Sequence, residues 1–510
     1  MPTPVGDAIT HHARPSTFDG YRFPEFDGRL HAMGSPAQNR VTAQDFYDHD
    51  KCPHRVFLNH FGDPSEKLPH SDFLNLLFEN ALTHEREVVA DLAYEMPREV
   101  TLEDRALSTL QLMRAGAERI YQGVLLQPNE SGIPDLLEKV PGNSRLGDYF
   151  YKPVDIKSGS GYKDEAKGIL RTDYGMQLYH YGLLLQAVQG TFPPEAEILN
   201  RDRKRILYPF DQFSAAYQET LAEIRLLTAG AKSDEPALAS ECGACQWWGH
   251  CERVLVAAED VTLLSDVGRS KKVALNSVGV RSIRDIPSFD FSGVKLKGIG
   301  PKTVASMKLA AISVLSNKLQ VLAKAALPDP PRKVYLDFED DPTQELIYLC
   351  GMWIEPALHG LNYHGLLCTD EAGEERIWAE FQRLCVAIAA EDYAVFHYSP
   401  YERVKIAALE RRYAVSERDA LTLFKSRMVD LYPVVKHSAV LPARGYGLKR
   451  IAPFVGVKYS AADAGGAQSI VWFQEYQRNP GRQDVLETLL TYNREDCVAM
   501  KSVEEWLRQL

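Results

Sequence analysis

The chain lacks any apolar run approaching the about 18 residues that a membrane-spanning helix needs, so no such span is expected. It has no internal repeat, and no low-complexity tract longer than its polar start, MPTPVGDAITHHARPSTFDG, which holds no apolar core. That start reads as a flexible tail over 1–40 and excludes a secretory signal. Cysteine is scarce: eight in 510 residues are too few for a disulfide framework, and a cytoplasmic location is expected. A G-x4-G-K-[ST] phosphate loop is absent as well, so any motor function must come from a partner. An excess of basic residues is also missing. The formal net charge of −11 argues weakly against a phosphate-rich partner, because such binding relies on Lys and Arg releasing counterions.

A composition of 45% hydrophobic and 25% charged residues describes a globular chain of roughly two to four domains. The sharpest seam is LPDPPRK, where Pro328, Pro330 and Pro331 forbid a helix and predict a stiff linker over 327–332. Upstream, 41–257 alternates helical stretches with a few strands, and 258–326 is a run of short helical patterns. Downstream, over 333–510, KVYLDFE, ELIYLCGMWI and YAVFHY predict strands, followed by helices that end in YNREDCVAMKSVEEWL.

Four of the cysteines are informative. Cys242, Cys245 and Cys251 stand in CGACQWWGHC, and Cys52 lies about 190 residues upstream. A Cys-x2-Cys pair supplies two soft ligands from one turn, and a cluster completed by Cys52 would staple both ends of one folded unit. Iron-sulfur and zinc are both acceptable to four thiolates. Cys350, Cys368, Cys385 and Cys497 read as ordinary buried thiols.

Between these cysteines lie candidate catalytic groups. In KPVDIKSG, period-two alternation places Val154 and Ile156 on one strand face and Asp155 and Lys157 on the other. Such a carboxylate holds a divalent metal, while the ammonium orients water and offsets phosphate charge. Asp135 supplies a second carboxylate from a neighbouring strand, and His84, on a predicted helix, a nitrogen ligand that Mn²⁺ tolerates better than Mg²⁺. Gln177 and Tyr181 lie one helical turn apart.

In the middle segment, LKGIGPKT places Gly298 and Gly300 in a tight turn before a helix predicted over 301–315. Backbone amides at that turn and Lys302 suit a phosphate. The upstream LNSVGVRSI is helical in texture but carries Ser277 where a first glycine is expected.

In KVYLDFEDD, alternation buries Val334, Leu336 and Phe338 and presents Asp337 and Glu339 together. Two carboxylates at i and i+2 can share a pair of metal ions about 4 Å apart, suited to in-line phosphodiester hydrolysis. Tyr492 and Asp496 are one turn apart on a helix whose apolar positions Leu489, Ala499, Val503 and Leu507 share a side, and Tyr492 is placed to orient water. Glu402 and Asp430 are the further acidic candidates, Asp430 in reserve.

The order of Cys52, His84, Asp135, the Asp155/Lys157 pair, Gln177/Tyr181 and the three clustered cysteines resembles the RecB-like PD-(D/E)xK nucleases with an iron-sulfur cluster, including CRISPR-associated and AddB members. The resemblance implies a restriction-endonuclease-like mixed sheet with helices. It also implies that His84, Asp135 and Asp155 bind Mg²⁺ or Mn²⁺, that Lys157 is catalytic, and that Gln177 and Tyr181 position DNA. Cys52, Cys242, Cys245 and Cys251 would hold a [4Fe-4S] cluster, with Zn²⁺ as the alternative. The 296–303 stretch resembles a helix-hairpin-helix, a small all-α DNA-backbone binder. The last segment resembles the DEDD exonucleases of the RNase H-like α/β fold, in the subclass marked by Y-x3-D. That family has Asn and then Tyr-Asp where this chain has His397, Tyr398, Tyr401 and Glu402.

The expectation is thus an α/β multidomain metal-dependent nuclease. It acts mainly on single-stranded DNA or free ends, accepts RNA as an alternative substrate, and works beside a helicase partner and away from membranes. Two other readings stay open: a nucleic-acid-binding scaffold subunit of a repair or defence complex with one or both sites inactive, and a zinc-stabilised RNA-processing exonuclease.

Overall fold

The computed structural model describes residues 40–461 and 465–510. The expected tail, apart from Arg40, lies outside them. Two five-stranded sheets organise the chain, one on each side of the proline stretch. Residues 322–331 are in neither helix nor strand, as three prolines in four positions require.

The first sheet has the spatial order Arg205–Pro209, Glu195–Leu199, Gly147–Ile156, Leu136–Ser144, Arg119–Tyr121. All its neighbours are antiparallel except Gly147–Ile156 with Glu195–Leu199. A parallel pair needs a crossover, and the helix Thr172–Gln189 supplies it. That helix stops at Gly190, whose φ of 76° is open to glycine and strained for other residues.

The strand Gly147–Ile156 starts exposed at Gly147 and Asp148, and its last four residues are buried on both faces. Val154 and Ile156 pack with Val88 and Val89 of the helix Asp72–Ala90. Asp155, on the opposite face, is buried too, at 2% exposure. Helices cover both faces, which is how a sheet containing a parallel pair is ordinarily sheltered.

In the middle segment, Val261, Leu275, Val280, Ile283, Ile299 and Met307 form a separate small core. The predicted 301–315 helix runs Pro301–Ser316. The helical texture upstream ends at Asn276, where the helix Arg269–Asn276 gives way to a turn with Gly279 at φ 86°.

The second sheet has the order Leu361–Leu367, Leu346–Leu358, Arg332–Asp341, Tyr393–His397, Met428–Asp430. Numbered along the chain this is 3-2-1-4-5, with the first three strands antiparallel and the last two parallel to Arg332–Asp341. Val334, Leu336 and Phe338 face the helix Glu371–Ile388 through Trp378, Phe381 and Cys385. The opposite face, which carries Tyr335, is covered by the terminal helix Gln483–Gln509 through Cys497, Met500, Val503 and Leu507. Each fully buried apolar side chain contributes roughly 1.5–3 kcal/mol of transfer free energy, enough to hold the acidic face of the strand against this helix.

The two halves touch. Leu76 of Asp72–Ala90 packs among Leu346, Tyr348, Ile470 and Phe473, and Asn80 donates to Gln474 at 3.4 Å. The short strands Gln320–Val321 and Ala439–Val440 pair antiparallel as a separate two-stranded sheet, tying the middle segment to the carboxy-terminal half.

Candidate metal centres

The carboxy-terminal site is assembled from two elements far apart along the chain. Asp337 and Glu339 project from the central strand Arg332–Asp341, and Asp496 from the terminal helix. Their ligand oxygens lie within 4.8 Å of one another, the one such convergence of three His, Cys, Asp or Glu side chains among the described residues. Glu339 and Asp496 are almost fully buried, and Asp337 is partly open. Three hard oxygen donors gathered at a sheltered spot suit a divalent cation such as Mg²⁺ or Mn²⁺.

Electrostatics express the same crowding. Burial, then the Glu339, Asp496 and Glu402 carboxylates, push the Asp337 pKa well above the usual range. Burial chiefly pushes Glu339 up to about 8, although Ser469 donates to its Oε2 at 2.7 Å. Burial likewise raises Asp496, opposed by Lys449 and by hydroxyl bonds from Tyr459, at 2.7 Å, and Tyr492. Like charges held together out of water disfavour joint ionisation unless a cation joins them.

Tyr492 is where Y-x3-D spacing predicts, buried and beside Asp496, with the Lys449 ammonium 3.9 Å above its ring. Glu402, in the first turn of Tyr401–Arg412, is 3% exposed and acts on Asp337 through its charge. His397 Nδ1 lies 3.2 Å from Glu402. Ser399, between them, has φ 89°, an uncommon setting for a residue with a side chain. Asp430 caps a helix. Its Oδ1 accepts from the Ser399 and Tyr432 amides at 2.8 and 3.0 Å, capping the helix Leu431–Ser438.

In the amino-terminal half, Asp135, Asp155 and Lys157 come together. Lys157 Nζ is 2.9 Å from Asp155. The Asp135 amide donates to Asp155 Oδ1 at 3.3 Å, and Asp135 Oδ2 accepts from the Ile156 amide at 2.6 Å. Burial, then the Asp155 charge, raises the Asp135 pKa. Burial opposes the Lys157 charge, but the Asp155 and Asp135 carboxylates outweigh it and hold the ammonium pKa above its usual value. Tyr181 is buried within the field of both carboxylates. Gln177 donates to the Ala43 carbonyl at 3.3 Å, so its amide fastens two helices together. His84 lies on Asp72–Ala90 with its Nε2 buried and without a hydrogen-bond partner. Its neighbour Glu85 is the helix residue whose charge reaches Asp135. His84, Asp135 and Asp155 do not reach the mutual distance of the carboxy-terminal trio.

The four cysteines are free and gathered: Cys251 is pushed up to about 12 by burial and then by the neighbouring Cys245, Cys52 and Cys242. Arg269 donates to Cys52 Sγ at 3.3 Å. Gly298, with φ 74°, and Gly300, the residue preceding Pro301, form the turn at the start of Pro301–Ser316, with Lys302 exposed in its first turn.

Sequence reading missed Asn493, Ser469, Lys449 and Tyr459. Asn493 adjoins Tyr492 and donates to Asp337 Oδ2 at 2.7 Å. The other three carry no local pattern, and only the fold brings them to the acids.

Among curated proteins, none matches the chain. Residues 334–508, which hold every acidic residue of the carboxy-terminal site, match a family model described as the RNase_H superfamily, RNase_H_2, and this supports an RNase H-like, metal-binding domain of the nuclease type.

Proposed function

We propose that the chain is a metal-dependent nuclease that hydrolyses phosphodiester bonds of mainly single-stranded DNA, with a DEDDy-type exonuclease site in the carboxy-terminal domain and a second, RecB-like site around Asp155. The observation that carries the reading is the convergence of Asp337, Glu339 and Asp496 within 4.8 Å. Divalent metal ions, when bound, supply charge that neutralises the scissile phosphate and lowers the pKa of a bound water. Asp337, Glu339 and Asp496 hold them, Glu402 adds the fourth carboxylate, and the Tyr492 hydroxyl orients the attacking water. At the second site Asp135 and Asp155 are the carboxylates, His84 the nitrogen ligand, and Lys157 the cation that stabilises the developing phosphate charge. Tyr181 is supported as a substrate-facing residue by its place beside both carboxylates. Gln177 keeps that part only through the helix it anchors. Gly298, Gly300 and Lys302 add a backbone-binding turn of helix-hairpin-helix type.

Cys52, Cys242, Cys245 and Cys251 are proposed to hold a [4Fe-4S] cluster. The Cys-x2-Cys-x5-Cys spacing and the distant fourth ligand Cys52 support the cluster over zinc. A brown, iron-containing protein purified anaerobically supports the cluster, and a colourless zinc-loaded one replaces it.

The test is degradation of 5′- and 3′-labelled single strands of DNA and RNA with Mn²⁺ or Mg²⁺, for wild type, Asp155→Ala and Asp337→Ala. Two separable activities are expected, the one lost in Asp337→Ala working from 3′ ends. A wild type that binds strands without cutting them replaces the proposal with a scaffold role.

A further inference from the structure

Resting on the reading of Asp337 as a metal-holding carboxylate, we infer that Asn493 is its positioning residue: an amide pinned by Tyr363 and admitted by Gly351 that sets the orientation of the Asp337 carboxylate.

Three elements meet at this amide. Asn493 comes from the terminal helix, Tyr363 from the edge strand Leu361–Leu367, and Gly351 from Leu346–Leu358. Asn493 is fully buried. Its Nδ2 donates to Asp337 Oδ2 at 2.7 Å, and the Tyr363 hydroxyl donates to its Oδ1 at 2.8 Å. The direction of this relay is fixed by chemistry. With a cation at the centre the Asp337 carboxylate is ionised and only accepts, so the NH₂ end faces Asp337 and the oxygen end is left for a phenol that donates.

Gly351 makes the arrangement possible. It is the cross-strand partner of Asp337, so a side chain there would stand on the same face. A Cβ on Gly351 would lie 1.6 Å from Asn493 Oδ1. The amide therefore occupies the space that a side chain at 351 would fill.

The terminal torsion of an aspartate is broad and two-fold, so the carboxylate has no strong setting of its own. A bond to Oδ2 selects one. A neutral amide does this without bringing a positive charge that competes with a cation, unlike the ammonium of Lys449, whose charge also acts on Asp337. Partners that orient a metal-holding side chain are typically worth about 10- to 100-fold in metal affinity or activity.

The experiment uses the full chain and titrates Mn²⁺, following free Mn²⁺ by electron paramagnetic resonance, beside kcat and KM on a single-stranded DNA oligonucleotide. Asp337→Ala identifies which Mn²⁺ sites and which activity belong to this centre. Asn493→Leu, of similar size and without hydrogen bonds, is expected to weaken those sites about tenfold or more and to lower kcat with KM within about twofold. Gly351→Ala, which displaces the amide from the neighbouring strand, is expected to act in the same direction. Tyr363→Phe, which removes one oxygen and keeps the ring, is expected to produce a smaller loss of the same sign. Should Asn493→Leu fail to fold, these two carry the test. Unchanged Mn²⁺ affinity with only a lowered Tm overturns the inference and leaves the metal-centre reading standing. If Asp337→Ala loses no Mn²⁺ site, both fall.

Discussion

Residues of the same type have been given opposite work by their surroundings. Asp337 and Asp430 are both acids near the second sheet's carboxyl ends, yet one points into a cluster of like charge and the other caps a helix. Asp430→Asn keeps an acceptor for the Ser399 and Tyr432 amides. It is expected to leave DNA degradation within a few-fold of wild type, while Asp430→Ala lowers stability by about 1 kcal/mol in urea unfolding. Loss of cleavage in Asp430→Asn at unchanged stability would move Asp430 into the metal centre. His180 shows burial acting on a base. It is fully buried, bonded to the Tyr217 hydroxyl at 2.8 Å and the Ser131 carbonyl at 3.1 Å, and burial holds its pKa below the usual 6.5. Because the unfolded chain takes up the proton more readily, the stability conferred by neutral His180 is present above pH 6.5 and is lost as pH falls below it, with a slope of up to about 1.4 kcal/mol per pH unit. The Tm of His180→Gln is therefore expected to fall less steeply than that of wild type between pH 6.5 and 5. Parallel profiles would show that other groups set the slope.

At the scale of elements, the terminal helix does two things at once. Its apolar stripe closes the second sheet, and the same turns deliver Tyr492, Asn493 and Asp496 to the acidic strand. Leu507, on the last turns, is 0% exposed and distant in sequence from those residues. Leu507→Ala is expected to lower stability by about 2–5 kcal/mol, read by urea unfolding, through lost burial and the cavity left behind. A loss below 1 kcal/mol would mean that the helix end frays and contributes little. The sequence made this helix legible, since Leu489, Ala499, Val503 and Leu507 recur at helical spacing and all four are buried. It made the strand faces only half legible. Alternation separated Asp155 from Val154 correctly, but no pattern on a single strand says that a second helix covers the polar side as well.

For the whole molecule, the junction made by Asp72–Ala90 matters most. One end carries His84 and Glu85 toward the first sheet, and the other inserts Leu76 against Phe473. Its partner, Gly466–Arg478, also holds Ser469, which donates to Glu339. Leu76→Asp places a charge in this apolar contact and is expected to split thermal unfolding into two transitions, measured by calorimetry, as the halves lose their shared core. A single transition shifted as a whole would show that the middle segment and other contacts suffice to couple them.

What the sequence determined by itself is local: the strand carrying Asp337 and Glu339, the helix carrying Tyr492 and Asp496, the strand and turn around Asp155 and Lys157, and the prolines at the seam. Each rests on periodicity or on the stereochemistry of a few neighbours, so the signal lies within a short window. Only the tertiary structure decided which acids meet. Gly351, Tyr363, Lys449, Tyr459 and Ser469 reach the centre from separate elements, and the turn at Ser399 brings its amide to the Asp430 carboxylate. Such choices depend on distances of a few ångströms between residues far apart along the chain, and those distances are set by which faces bury together.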